Sequence, residues 1–358
     1  MNILVACDSY KGALSSQCCN QAIAKALCGH QVYSYPIADG GEGSLQALLS
    51  QPHWVKKQVI AHNLRGEKIS AHYAMYKETA VIEVAELLGL QWVDKKYTPD
   101  KTSSYGLGEC VRAIVEKEWV HDIIFMLGGT GIVDAGIGFG EAIGIRYRAE
   151  NGQWLTNVTG SDLGRIAVID ETKKMDLRGV RFWAGCDVTA PLTGKEGSVL
   201  LFGAQKGITQ LADYERAMIH YRKVCGVSEE AGDGAAGGLG FFLRVFLGAS
   251  LTSGFDVIVQ AQHWADILPQ IDYVITGEGR MDRQSLLGKV PFKVAQYTKK
   301  PTIALVGQSE VSIEEIRQSP LTAVFPIAQY PCSLEEAMNK TAEWLTKTTS
   351  QVMQCIEE

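Results

Sequence analysis

Four short apolar runs in the chain each end in a glycine-rich turn that carries an acidic residue. These turns span residues 8–12, 39–43, 128–134 and 277–282. Apolar runs of this kind fit buried strands of a parallel sheet, and residues that follow such strands lie at the edge where ligands bind. Glycines let backbone N–H groups approach phosphate oxygens, because no Cβ stands in the way. The pattern predicts an α/β fold with a Mg²⁺-phosphate site, and phosphoryl transfer as its chemistry.

Length, charge and cysteine usage narrow the class of protein. The chain has 358 residues, which favours two domains over a single core. The formal net charge is -6 and the basic residues are scattered, so no nucleic-acid partner is expected. The nine cysteines show no CxxC pair, and no apolar stretch reaches the roughly 18 residues of a membrane helix. We expect a cytoplasmic protein with reduced cysteines and no membrane partner, and leave open whether it forms a homo-oligomer.

The predicted strands and helices change character along the chain. Residues 1–50 fit two βα units, and residues 55–85 fit three strands of an antiparallel insertion, which places a domain change near residue 60. Residues 146–180 are polar and weakly patterned, so no regular element is predicted there. The alternation of strand and helix returns from residue 271.

The first two turns offer charged groups for phosphate chemistry. Lys11 lies three residues after Asp8, between a predicted strand and a helix, so its ammonium could reach a terminal phosphate. A solvated lysine at a helix start is the alternative. Asp39 and Glu42 flank two glycines and could hold Mg²⁺, accept a hydroxyl proton or cap the next helix. Capping explains only one of these two carboxylates.

Two further carboxylates follow predicted strands. Asp187 has a placement typical of a metal ligand or a base, although an aspartate that forms a turn would look the same. Glu278 stands between two glycines, where it has little structural purpose, and Asp282 and Gln284 follow it. Lys289 could meet a phosphate or a carboxylate, or be an ordinary surface lysine.

Several common catalytic motifs are absent from the sequence. It contains no GxxxxGK[ST], GxGxxG, HExxH or GxSxG motif, and its seven histidines are dispersed. The glycine-rich residues 232–240 could offer helix N–H groups to an anion or permit close packing of helices. An enzyme built on this chain would work with carboxylates, lysines and backbone amides, which suffice for phosphoryl transfer with Mg²⁺.

The ordered set of motifs resembles the bacterial type I glycerate kinases, which phosphorylate D-glycerate with ATP. The motifs run in the family's order along nearly the whole chain. The matching stretches are CDSYKGALSS, PIADGGEGSLQAL, TSSYGLGE, MLGGTGIVDAGIGFGEAIG, AGCDVTAPLTGKEGS, FGAQKG, GDGAAGGLG and DYVITGEGRMDRQSLLGKVP.

The resemblance implies a fold and an activity. The fold is a Rossmann-like three-layer α/β domain of residues 1–60 and 255–358, with a second α/β domain of residues 61–254 inserted into it and the active site in the interdomain cleft. The substrates are ATP and D-glycerate, Mg²⁺ is required, and 2-phosphoglycerate is favoured over 3-phosphoglycerate as the product. A non-catalytic sensor of a sugar acid or nucleotide on the same fold, or a kinase for a related hydroxy acid, are the alternatives.

The resemblance also assigns roles to residues. The motif positions are Asp8, Ser9, Lys11, Asp39, Glu42, Asp134, Asp187, Glu278 and Asp282. The predicted catalytic residues are Asp187, Asp39, Lys11 and Asp8, and the predicted metal ligands are Asp187 and Glu278. The pattern does not decide which carboxylate is the base, although Asp187 and Asp39 are favoured. The predicted nucleotide-binding residues are Ser9, Gly40, Gly41, Glu42, Gly128, Gly129, Asp134, Gly277, Gly279, Asp282 and Lys289.

The third turn departs from the family pattern. The family typically reads GGSATNDGG, whereas this chain reads GGTGIVDAG. Ile132 and Val133 therefore replace a polar pair, which predicts a loss of hydrogen-bonding groups beside the site. Such a loss could lower the activity or alter the acceptor.

Overall fold

A computed structural model describes residues 1–283 and 285–357 of the chain. Gln284, which the sequence groups with Asp282, lies outside the described residues. The chain divides into two compact units. The first comprises Met1–Asp39, Gln46–Pro52 and the chain from Phe255 onward, and the second comprises Gly40–Leu45 and His53–Gly254.

Strands and helices alternate along most of the chain. The strands are β1 (Asn2–Cys7), β2 (Gln31–Ser34), β3 (Val55–His62), β4 (Lys68–Tyr76), β5 (Thr79–Glu83), β6 (Asp122–Met126), β7 (Arg146–Ala149), β8 (Trp154–Leu155), β9 (Ile166–Asp170), β10 (Arg181–Gly185), β11 (Ser250–Thr252), β12 (Tyr273–Met281), β13 (Thr302–Ser309) and β14 (Ala323–Pro326). The α-helices are α1 (Ser16–Ala24), α2 (Ser44–Leu49), α3 (Val84–Leu88), α4 (Tyr105–Lys117), α5 (Ile137–Ala142), α6 (Ser198–Phe202), α7 (Leu211–Cys225), α8 (Ala235–Leu247), α9 (Gly254–Ala261), α10 (Trp264–Ile267), α11 (Val290–Thr298), α12 (Ile313–Arg317) and α13 (Leu334–Glu357). None of these helices is both long and apolar enough to cross a membrane.

The first unit is built on a five-stranded sheet. Its strand order is β14-β13-β12-β1-β2, and every neighbouring pair is parallel. Ile3, Val5 and Cys7 of β1 pack in one apolar cluster with residues of α1 and α13, and α11 also contacts β1 and β12. Residues 3–7 are all buried, which explains their continuous apolar run. The predicted α/β class with a parallel sheet is confirmed.

The second unit contains a six-stranded mixed sheet of order β11-β10-β6-β5-β4-β3. Strands β11, β10, β6 and β5 are parallel neighbours, while β4 and β3 are added as antiparallel hairpins. The antiparallel pairing predicted for residues 55–85 is therefore present. Strand β5 ends at Glu83 and the chain continues directly into α3, so the predicted strand over residues 79–85 was too long.

A second sheet in this unit lies where no regular element was predicted. Strands β8, β7 and β9 form an antiparallel sheet within residues 146–180. Tyr147 and Ile166 are buried, whereas Trp154 is 42% exposed and lies under the guanidinium of Arg146, 4.5 Å from the ring centroid. Charged and aromatic side chains on the open face interrupt the hydrophobic alternation, so the pattern of residues 146–180 does not predict these strands.

The fourth predicted glycine turn is a strand. Strand β12 runs through it to Met281, and Gly277 pairs with Leu305 of β13. A Cβ on Gly277 would lie 2.1 Å from the Leu305 carbonyl oxygen and 2.8 Å from the Tyr10 hydroxyl, which donates a 2.6 Å hydrogen bond to that carbonyl. The prediction of a turn was wrong because this glycine permits a close approach within the sheet.

The compact units and the predicted domains divide the chain at different points. Strand β3 lies wholly in the second unit, although the domain change was expected near residue 60. The short segment Gly40–Leu45 also belongs to the second unit. The inserted domain with its predicted boundaries, and an active site in an interdomain cleft, stay predictions.

Candidate active site

Asp8 is the first residue after β1, at the carboxyl end of the parallel sheet. Its backbone N–H donates to the Gly277 carbonyl at 2.9 Å, and its Oδ1 accepts a hydrogen bond from the Ser9 N–H at 2.6 Å. Burial and the nearby charge of Asp39 raise the pKa of Asp8 to about 7, while Lys11 acts in the opposite direction. The side chain is half-buried. Its position and its pKa make Asp8 suitable for exchanging a proton near neutral pH.

Glu278 lies in β12, within the same unit and close enough to influence Asp8. The side chain is buried, and its Oε1 has no hydrogen-bond partner among the described residues. Its Oε2 lies 3.9 Å from the Nζ atom of Lys289. Burial raises the pKa of Glu278, and a hydrogen bond with Ser285 lowers it. A buried carboxylate oxygen without a partner is costly, so this oxygen is a candidate metal ligand.

Lys289 joins the predicted residues that follow β12. Its Nζ lies 3.4 Å from Asp282 Oδ1 and 3.1 Å from the Ser285 hydroxyl. Ser285 was not predicted, and it is almost fully buried while its N–H donates to Asp282 Oδ1 at 3.0 Å. Serine is common in loops, so its type carried no signal. The first unit thus brings Asp8, Lys11, Asp39, Glu278, Asp282 and Lys289 into one charged cluster.

The second unit brings two of the predicted glycine turns into contact. The Gly128 N–H donates to the Gly40 carbonyl at 2.9 Å, and a Cβ on Gly128 would lie 2.4 Å from the Cα of Gly41. Gly40 has a φ of +91°, and a Cβ there would lie 2.9 Å from the Cα of Gly254. Gly128 therefore serves a close approach of two backbones, and its N–H is already used within the protein.

Two predicted carboxylates of the second unit are exposed. Glu42 lies in the second glycine turn, and Asp187 follows β10. The Ser253 hydroxyl donates to Asp187 Oδ1 at 2.8 Å. Among residues 1–283 and 285–357, no group of three or more His, Cys, Asp or Glu side chains is arranged to hold a metal ion. A metal at this site would need ligands from the substrate or solvent as well.

The glycerate kinase family model matches residues 3–357. The chain belongs to the glycerate kinase family. It is 33% identical over 359 residues to the glycerate kinase of Halalkalibacterium halodurans, with 94% of this chain and 93% of that protein covered. It is 34% identical over 357 residues to the glycerate 2-kinase of Escherichia coli, with the same coverage of each chain. A crystal structure assigned as glycerate kinase 2 from Salmonella typhimurium LT2 superimposes with a TM-score of 0.85 at 34% identity, covering 100% of this chain and 98% of that one.

These findings confirm the resemblance and show that the protein is a kinase. None of them tests the roles predicted for individual residues, which stay predictions.

Asp134 lies deep inside the protein. It is fully buried, and burial raises its pKa. Its Oδ2 accepts hydrogen bonds of 2.7 Å from both the N–H and the hydroxyl of Ser104, and its Oδ1 accepts one of 3.0 Å from the Gly136 N–H. The Ser104 hydroxyl also accepts a hydrogen bond from the Phe139 N–H. These contacts join the starts of α4 and α5, which is a structural role, and the predicted role of Asp134 in nucleotide binding stays a prediction.

The two residues that depart from the family pattern lie in the core of the kinase. Ile132 and Val133 are fully buried. The Ile132 carbonyl accepts a hydrogen bond from Lys206 Nζ at 3.1 Å, and the Val133 carbonyl accepts one from the Tyr214 hydroxyl at 2.8 Å. Burial lowers the pKa of Lys206 to about 8. The apolar side chains add packing to the core, and their effect on activity stays a prediction.

The glycine-rich residues 232–240 pack closely against this third turn. Ala236, Gly237 and Gly238 have left-handed backbone conformations, so the regular part of α8 begins at Leu239. A Cβ on Gly237 would lie 2.0 Å from the Ile132 carbonyl oxygen. The geometry favours close packing as the reason for these glycines.

Gly128→Ala is expected to destabilise the kinase. The added Cβ would overlap the backbone of Gly41, which cannot move without shifting the second glycine turn. We expect the free energy of unfolding to fall by about 1 to 3 kcal/mol, measured by urea denaturation. The matched control is Gly164→Ala, whose Cβ would lie 3.4 Å from the Ala217 Cβ in ordinary contact. Equal stabilities of the two variants would contradict the assigned close approach.

Proposed function

We propose that the protein transfers the γ-phosphoryl group of ATP to a hydroxyl of D-glycerate, with 2-phosphoglycerate favoured as the product. The family assignment supports a kinase that acts on glycerate, and the name of the Escherichia coli relative supports the 2-hydroxyl. The observation that carries the proposal is the charged cluster around Asp8, which combines a proton acceptor with two lysines and further carboxylates. Phosphoryl transfer requires these groups and little covalent chemistry from the protein.

Asp8 is the proposed general base. A base acts best when its pKa lies near the working pH, and burial beside Asp39 raises the pKa of Asp8 to about 7. The substrate hydroxyl oxygen bonds to the γ-phosphorus, the bond from that phosphorus to the bridging oxygen breaks, and ADP leaves. The hydroxyl proton passes to an Asp8 carboxylate oxygen. This proposal prefers Asp8 to Asp187 and Asp39, the bases favoured from the sequence alone.

The lysines of the same cluster are the proposed partners of the phosphates. Lys11 is exposed in the turn after β1, and Lys289 precedes α11. Their ammonium groups would balance the charge that spreads over the phosphoryl oxygens as the bond to the leaving group breaks. The nucleotide-binding roles predicted for the glycines of the other turns belong to this proposal as well.

The carboxylates present fit a magnesium ion. Proteins commonly hold Mg²⁺ through one or two carboxylates, with phosphate oxygens and water completing the shell. Glu278 would hold it best, because its buried Oε1 has no hydrogen-bond partner among the described residues. Asp187 is the second candidate. When bound, the ion would neutralise phosphate charge.

Phosphorus NMR of the purified protein with ATP, Mg²⁺ and D-glycerate tests the proposal. We expect ADP and a phosphomonoester whose phosphorus is split into a doublet by the single C2 proton. A triplet would indicate attack by the 3-hydroxyl, and a parallel sample with L-glycerate reports the stereochemical preference. If the folded protein forms no ADP, the proposal fails. Thermal stabilisation by glycerate or ATP would then favour a sensor, and a panel of other hydroxy acids would reveal a different acceptor.

A further inference from the structure

Glu83 is a buried carboxylate for which no functional role was predicted. It ends β5 and its side chain is 7% exposed. Its Oε1 accepts a hydrogen bond from the Gly43 N–H at 3.3 Å, and its Oε2 accepts one from the Leu45 N–H at 2.8 Å. Both donors belong to the segment Gly40–Leu45, which contains most of the second glycine turn. One side chain therefore binds two backbone amides of a predicted nucleotide-binding turn.

The rest of this segment is held by hydrogen bonds to its backbone carbonyls. The Gly40 carbonyl accepts a hydrogen bond from the Gly128 N–H at 2.9 Å. The Ser44 hydroxyl donates to the Gly41 carbonyl at 2.6 Å, which closes the turn on itself. Gly128 thus fixes the start of the segment, and Glu83 fixes its end. Glu42 lies between these two anchors.

The charge environment of Glu83 is unfavourable for a purely structural carboxylate. Burial raises its pKa to about 7, the two amides act in the opposite direction, and the nearby charges of Glu86 on α3 and Glu42 on the turn raise it further. A buried charge among acidic neighbours costs stability, and a neutral side chain would avoid that cost. A carboxylate nevertheless offers acceptors to two amides at once, and each of these bonds is stronger when the acceptor is charged.

We propose that Glu83 is a positioning residue for the kinase reaction, holding the second glycine turn and Glu42 in the arrangement that nucleotide binding requires. This inference rests on the proposed function, because it assigns the turn a part in ATP binding. Glu83 itself contacts the turn, and its effect on the reaction passes through the Gly43 and Leu45 amides.

The first test is steady-state kinetics of Glu83→Gln. A glutamine keeps one acceptor oxygen, but its amide group would face a backbone N–H, so one of the two hydrogen bonds is lost. We expect kcat/KM for ATP to fall at least about 10-fold, since small displacements of binding groups have large effects on rate. Glu116→Gln is the matched control, because Glu116 is exposed on α4 and its substitution removes the same charge. An unchanged kcat/KM in Glu83→Gln would overturn the proposal.

The pH profile separates a positioning role from simple damage. Asp8 and Glu83 both have a pKa raised to about 7 by burial, so two carboxylates must lose a proton for full activity. As the pH falls below 7, kcat/KM of the wild type should therefore fall more steeply than that of Glu83→Gln, because protonation of Glu83 removes the same acceptor as the substitution. The ratio of the two kcat/KM values should shrink from at least about 10 at pH 8 towards one at low pH. A ratio that does not change with pH would contradict the proposal.

Hydrogen exchange of the backbone amides tests the inference without relying on activity. At pH 8 we expect the peptide containing Gly43 and Leu45 to exchange faster in Glu83→Gln than in the wild type or in Glu116→Gln. Unchanged exchange would overturn the anchoring role of Glu83 even if the protein proved not to phosphorylate glycerate. Faster exchange with unchanged kcat/KM would overturn the link to nucleotide binding. Failure of the proposed function would show instead as a wild type that forms no ADP.

Discussion

Asp8→Asn should lower the turnover of glycerate by about 10²- to 10⁴-fold while making the folded protein more stable at pH 8. The loss of turnover follows because an amide cannot accept the hydroxyl proton, and general-base catalysis typically contributes a factor of this size. The gain in stability follows because the wild type places this carboxylate beside Asp39 in a half-buried position. A side chain that costs stability and supplies a reactive group is typical of an active site.

The pH dependence of this gain has a definite sign. Burial and Asp39 raise the pKa of Asp8 to about 7 in the folded protein, whereas an aspartate in an unfolded chain titrates near its ordinary value of about 3.9. The folded wild type therefore binds the additional proton between these values, and its stability falls as the pH rises from about 4 to about 7. Asparagine does not titrate. The advantage of the variant should be absent near pH 4 and reach about 1 to 2 kcal/mol at pH 8, allowing for partial exposure.

Urea denaturation at pH 4, 6 and 8, together with turnover at pH 8, measures both effects. The matched control is Asp272→Asn, at the other end of the same sheet, where the carboxylate accepts a 2.7 Å hydrogen bond from the Asn2 N–H and an asparagine oxygen can accept the same bond. This control should keep its turnover. If Asp8→Asn retains its turnover, Asp8 is excluded as the base. If Asp8→Asn is less stable than the wild type at pH 8, the charged carboxylate does not destabilise the fold.

Local patterns were sufficient to predict the central strands of the fold. The buried run of residues 3–7 and the positions of Asp8 and Lys11 after it follow from hydrophobicity and turn chemistry alone. The ends of regular elements are harder to predict, because residues such as Ala135 and Gly136 adopt left-handed conformations immediately before α5 begins at Ile137. Such conformations depend on contacts that a local pattern does not contain.

Long-range contacts explain what could not be predicted. Gly277 resembles a turn glycine in the sequence. In the structure a glycine is required there because the Tyr10 hydroxyl and a carbonyl of β13, both distant in sequence, leave no room for a Cβ. Glu83 resembles an ordinary strand-end residue, and its partners Gly43 and Leu45 lie two strands earlier in the chain. The backbone carbonyls of Ile132 and Val133 accept hydrogen bonds from Lys206 and Tyr214, and both side chains are buried, while the predicted effect of losing a polar pair here stays a prediction. Each case depends on a pairing that only the folded chain reveals.

Glu278→Gln should lower kcat by about 10²- to 10³-fold and raise the Mg²⁺ concentration needed for half-maximal activity. Glutamine keeps the shape of the side chain but removes the charge that the proposed metal ligand supplies. The folded protein should not lose stability, because the wild type buries Oε1 without a hydrogen-bond partner among the described residues. Initial rates over a Mg²⁺ titration measure the first two effects, and thermal unfolding measures the third.

A comparison of two carboxylate variants decides which residue holds the ion. If Glu278 holds it, Mg²⁺ should add to the thermal stabilisation by ADP in the wild type but not in Glu278→Gln, while Asp187→Asn keeps that effect. If Asp187 holds it, the pattern is reversed, and Asp187→Asn should lower turnover by orders of magnitude. Glu310→Gln is the control for removal of a charge, because the Glu310 carboxylate pairs with Arg280 and Gln308 near the end of the same sheet. Its stabilisation by Mg²⁺ and ADP should equal that of the wild type, since the Arg280 pair is exposed and far weaker than a metal contact.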